Sequence, residues 1–103
     1  MLRRLFFGSR FLKKLNPLLE LYSYSKDTEK TYLELLKLKR LARTRGERAL
    51  FDLNQAALLY DMGKLREAAD IAREIPSLNP EMDSRTAELK TKIRVAMNEG
   101  EYM

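Results

Sequence analysis

The stretch Ala56-Ala57-Leu58-Leu59-Tyr60-Asp61-Met62-Gly63-Lys64-Leu65-Arg66-Glu67-Ala68 constrains this chain more than any other feature. It reads as two helices broken at Gly63-Lys64. Glycine enters the left-handed backbone region without the penalty a Cβ imposes, so Gly63 can end one helix and let the next begin at once. Ala56 lies seven residues before Gly63 and Ala68 five after it. Two small residues at comparable distances from a tight turn let the facing helices approach closely. A chain with this pattern is committed there to an αα-hairpin.

The remaining sequence is compatible with helix throughout. Leu, Ala, Glu, Lys and Arg dominate, Gly (4) and Pro (3) are scarce, and Val, Ile and Thr are few, so helix is favoured over sheet. With 103 residues and 45% hydrophobic content, one modest core is expected. Phe11, Leu12, Leu15, Leu18, Leu19 and Tyr22 fall within about 120° of one another at 100° per residue, which predicts a helix after Gly8-Ser9. Asn16-Pro17 leaves open whether that helix kinks or starts afresh. A second helix is predicted over about Thr28 to Thr44, with Gly46 as its C-cap. Its residues Tyr32, Leu33, Leu35, Leu36, Leu38 and Leu41 cover more than half its circumference, so it should pack on two sides. A third helix is predicted over about Glu47–Met62 and a fourth over about Leu65–Ser77, with Pro80 beyond its end. A fifth runs over about Arg85–Asn98, capped by Asp83 or Ser84 and ended by Gly100. The fold class is therefore all-α, with four to five antiparallel helices. Residues 1–26 form a basic amphipathic segment and residues 27–103 a helical domain.

The Gly63 segment resembles the middle of a tetratricopeptide repeat (TPR). That family combines a small residue in its first helix, a turn glycine, a large residue two positions on, an alanine in the second helix and a late proline. Here those are Ala56, Gly63, Leu65, Ala68 and Pro80. The likeness spans about residues 47–80. Val95-Ala96-Met97-Asn98-Glu99-Gly100-Glu101-Tyr102 has a similar helix–Gly ending, so residues 83–102 look like part of a second repeat. The sequence departs from the family at Asp52, where a large apolar residue is usual, at Gln55 in place of Leu, and at Ala72, Ile75 and Pro76. An unrelated helical bundle remains the alternative; both give helix packed on helix. The resemblance implies a hairpin packed on the N-terminal helices and a protein-binding role. Its concave face would carry Leu50, Leu53, Ala57, Tyr60 and Asp61 as partner-groove residues, although Leu50 and Leu53 could equally pack on the second helix. Lys and Asn on successive repeats, the family's carboxylate clamp, are not present.

Charge gives two further readings. Residues 1–48 hold 13 Lys/Arg against 5 Asp/Glu, whereas residues 49–103 hold 7 against 10. Arg3, Arg4, Phe6, Phe7, Arg10, Phe11, Lys13 and Lys14 form a basic, aromatic segment suited to an anionic membrane surface or to mitochondrial targeting. Phe11 and the leucines after it could instead be core. Lys37, Lys39, Arg40, Arg43, Arg45 and Arg48 could contact phosphates, but a solvated helix face near a C-terminus accounts for them better and no nucleic-acid-binding motif accompanies them. The chain has no His and no Cys, which removes the commonest general base and thiolate chemistry. No phosphate-cradling glycine loop is present. The sequence thus points to a non-enzymatic adaptor without cofactor, catalytic residues or metal ligands. It would bind another protein or itself, in the cytoplasm, with a peripheral membrane position or a mitochondrial destination as alternatives.

Overall fold

Ser9 immediately precedes the first helix. Its side chain accepts a hydrogen bond from the Leu12 amide (3.2 Å) and caps the helix that follows. The computed structural model describes residues 9–101. They form α1 (Arg10–Ser25), α2 (Thr28–Lys37), a 3₁₀ turn (Lys39–Leu41), α3 (Arg45–Asp61), α4 (Leu65–Arg73) and α5 (Pro80–Glu101). No strand occurs among the described residues, so the fold is all-α as the composition predicts. The chain divides into two compact units, one ending at Phe51 and the other starting at Asp52.

In the first unit α1 runs through Pro17 without a fresh start. Proline there removes one amide donor, and the helix continues on both sides of it. It ends at Lys26, a non-glycine residue with φ of 55°, whose amide bonds to the Tyr22 carbonyl (2.9 Å). Asp27 then accepts from the Lys30 amide (3.2 Å) and opens α2, which packs on α1. The Lys26–Asp27 connection, expected to separate a basic segment from a helical domain, lies within this unit.

The second helix is shorter than expected. It stops at Lys37, and the chain passes through the 3₁₀ turn to an extended Ala42. A new helix start lies just downstream, at Thr44-Arg45-Gly46-Glu47. Thr44 Oγ1 accepts from the Glu47 amide (3.0 Å), while Glu47 Oε1 accepts from the Thr44 amide (3.1 Å) and the Arg43 amide (3.0 Å). This reciprocal capping box starts α3. Gly46 consequently sits in the first turn of α3 and is not the C-cap of the preceding helix. Burial of α2 is also one-sided: Thr31 and Leu35 are buried, whereas Leu33 (61% exposed) and Leu36 face solvent. The other buried side chains of this unit are Phe11, Leu15, Ala42, Ala49 and Phe51.

In the second unit α3 ends in a tight turn. The Lys64 amide bonds to the Leu59 carbonyl and the Gly63 amide to the Tyr60 carbonyl (2.9 Å each), with Gly63 at φ of 80°. The next helix, α4, stops at Arg73 rather than Ser77, because Pro76 biases Ile75 out of the helical region. Pro80 likewise is not punctuation behind α4. It is the first residue of α5, where its missing amide costs nothing. Asn79 Oδ1 accepts from the Met82 amide (2.9 Å) and supplies the cap expected from Asp83 or Ser84. Asp83 instead reaches back over the preceding loop, accepting from the Ser77 hydroxyl (2.6 Å) and the Leu78 amide (3.0 Å). The last helix passes Gly100 and ends at Glu101, so Gly100 does not terminate it. Helices α4 and α5 pack together. Buried here are Leu53, Ala56, Leu58, Leu59, Ala68, Ala72, Ile75, Thr86, Leu89 and Ile93.

Candidate interaction surfaces

The residues expected to shape a hairpin are placed as follows. Ala56 and Ala68 are fully buried (0% exposed), Gly63 makes the turn, and Leu65 is half-buried at the start of α4. Pro80 is exposed at the start of α5. Of the five groove candidates, Leu53 is buried, Leu50, Ala57 and Tyr60 are half-buried, and Asp61 is exposed. Leu53 and Ala57 wall a recess of about 210 Å³ together with Arg85, Glu88, Leu89 and Lys92 of α5. Tyr60 and Asp61 do not line it. All three of its charged residues enter ion pairs one turn apart along α5: Arg85 with Glu81 (3.2 Å) and Lys92 with Glu88 (3.5 Å).

A larger groove, of about 310 Å³, lies between α4 and α5 and was not foreseen from the sequence. Ala69, Ala72, Ile93 and Met97 form its apolar floor, and Arg73, Lys90 and Arg94 stand around it. Arg73 pairs with Asp70 on its own helix. Lys90 and Arg94 enter no ion pair among the described residues. The stripe Thr86-Lys90-Arg94-Asn98 contains no carboxylate. Its four-residue spacing was the readable signal.

The basic segment divides between surface and core. Arg10, Lys13 and Lys14 are exposed, but Phe11 is fully buried and belongs to the core, not to a membrane-facing surface. Arg3, Arg4, Phe6 and Phe7 lie outside the described residues. The basic residues that a phosphate-binding stripe would need do not form one continuous helix face. Lys39 and Arg40 sit in the 3₁₀ turn, and Lys37 pairs with Glu34 (3.0 Å). Arg48 Nε donates to the Ala42 carbonyl (3.4 Å), while Arg43 and Arg45 are exposed.

A polar junction links the starts of α1 and α3. Ser9 Oγ donates to Glu47 Oε2 at 2.5 Å while accepting from Leu12. That hydroxyl, joined by the Thr44 and Arg43 amides, holds the Glu47 carboxyl below its ordinary value of 4.5 against the opposing effect of burial. Asp83 is lowered in the same way, chiefly by the Ser77 hydroxyl and then by the Leu78 amide.

Among the described residues no group of three His, Cys, Asp or Glu side chains could hold a metal ion, and no helix is long and apolar enough to cross a membrane. No protein-family model, curated protein or solved structure matches the chain.

Proposed function

We propose that this chain is a non-catalytic adaptor of tetratricopeptide-like type, with α3 and α4 as one repeat and α5 as the first helix of the next. The observation that carries the proposal is the recess shared by Leu53 and Ala57 of α3 with Arg85 and Leu89 of α5. First helices of successive repeats line one binding face in such arrays. The Gly63 turn and the buried pair Ala56 and Ala68 support the same reading. A bound peptide would lay apolar side chains on Leu53, Ala57 and Leu89 and meet charges of both signs, Arg85 and Glu88, at the edge.

Selection of displayed random peptides on the full chain tests this. A recurring motif is expected, with its affinity lowered at least tenfold in Ala57→Arg and Arg85→Glu while thermal melting is retained. Failure to enrich any motif, or binding that survives both substitutions, defeats the proposal.

A further inference from the structure

On α5, cations occupy two faces that are treated differently. Arg85 and Lys92 line the recess toward α3, and each has a glutamate four residues before it, Glu81 and Glu88, with which it pairs. Lys90 and Arg94 line the groove toward α4, about 170° around the helix at 100° per residue. The residues four before them are Thr86 and Lys90 itself. The residues four after are Arg94 and Asn98. Two like charges one turn apart, with no acid in reach along the helix, oppose helix stability. Nothing in the groove offsets this, because none of its lining residues is acidic. The contrast is sharper because the second half of the chain, residues 49–103, has more acids than bases, 10 against 7.

We infer that the α4–α5 groove docks an acidic amphipathic helix from a partner protein. Apolar side chains one turn apart on that helix would rest on Ala69, Ala72 and Ile93, and Met97 would adapt to their shape. Glutamates or aspartates along its flank would meet Lys90 and Arg94. Charge complementarity identifies the occupant: a basic or neutral helix would leave the two cations beside each other and partly desolvated, whereas an acidic flank neutralises both. The site lies on a different face of α5 from the α3–α5 recess, so it stands apart from the adaptor reading above.

The test uses the full chain and three fluorescent 18-residue amphipathic peptides. They share one leucine face and differ only in flanks of Glu, Gln or Lys. Anisotropy at low salt should show the Glu peptide binding at least tenfold tighter than the Gln peptide, with the gap closing as salt screens the charges. The double variant K90Q/R94Q should bind the Glu peptide no better than the Gln peptide. K90E/R94E should prefer the Lys peptide. The matched charge change K30Q/R66Q, at exposed positions outside the groove, should keep the Glu preference. Methyl-labelled methionine adds a readout independent of affinity: Met97 should shift on titration and Met62 should not. Equal binding of Glu and Gln peptides, an unshifted Met97, or full binding by K90Q/R94Q overturns the inference. So does binding of anionic phosphatidylglycerol vesicles through Lys90 and Arg94 without peptide binding, which would make the surface lipid-directed. If the Glu peptide fails while displayed ligands still require Ala57, this inference falls and the adaptor reading stands.

Discussion

Two glycines at opposite ends of α3 should respond to the same substitution with opposite sign. Neither Gly46 nor Gly63 has a heavy atom within 4 Å of where a Cβ would sit, so steric clash plays no part at either position. What differs is the backbone: Gly63 has φ of 80°, whereas Gly46 lies in the first turn of α3. An L-residue in the left-handed region costs about 1–2 kcal/mol. Alanine also narrows the unfolded ensemble, which returns about 0.4–1 kcal/mol. Gly63→Ala should therefore destabilise by roughly 1 kcal/mol on these two figures. At Gly46 only the favourable part applies, and Gly46→Ala should stabilise by about 0.5–1 kcal/mol. Urea denaturation followed by circular dichroism measures both. Gly63 lies in the second compact unit and Gly46 in the first, so each variant should shift the transition of its own unit if the two melt separately. Gly63→Asn should lose less than Gly63→Ala, because asparagine tolerates the left-handed region. Equal or raised stability for Gly63→Ala, or the same sign at both sites, would refute the assignment of Gly63 as a left-handed helix terminator.

The Ser9 hydroxyl, joined by the capping-box amides, makes stability depend on pH through Glu47. Its folded pKa lies below the unfolded value of 4.5, so its contribution is present above that value and is lost as pH falls through the folded pKa. Glu47→Gln should flatten the fall in the urea midpoint between about pH 6 and pH 3, and an unchanged slope would show that other carboxylates carry the acid sensitivity. Phe11→Ala should cost about 3–5 kcal/mol, since it removes a fully buried ring. A membrane-facing Phe11 would instead leave stability within about 1 kcal/mol of the parent chain and reduce flotation with anionic vesicles.

Much of the helical layout was legible because periodicity and the Gly63 break are local signals. The errors fall where two local rules compete. Gly46 satisfies the rule for a C-cap, yet Thr44 and Glu47 satisfy a stronger one for an N-terminus, and two side chains bonding to backbone amides outweigh a permissive glycine. Pro80 can follow a helix or open one. Asn79, immediately before it, decides for opening, because its side chain reaches the Met82 amide. The leucines of α2 were misread for another reason: periodicity tells which residues share a face but not whether a second neighbour arrives to cover it. Leu33 and Leu36 remain exposed.

The interaction surfaces were less legible, and the physical reason is the same on both faces of α5. A sequence shows that Arg85, Lys90, Lys92 and Arg94 are cations on one helix; it does not show which neighbour each meets. Packing separates them, placing Leu89 with Leu53 and Ala57 at one recess, and Met97 with Ala69 and Ala72 at the other groove. Pairing then gives the separation a chemical meaning. Cations that already hold a glutamate offer a partner less unbalanced charge. Lys90 and Arg94 stand beside an apolar floor with no ion pair of their own among the described residues. A ligand that supplies negative charge there gains twice, from the attraction and from relief of the repulsion between the two cations. Specificity for acidic helices thus follows from which residues stand four places from Lys90 and Arg94. Replacing exposed Ala87, three places before Lys90, with Glu should pair that cation internally and weaken acidic-peptide binding without touching the groove floor, a result that a purely hydrophobic docking site would not produce.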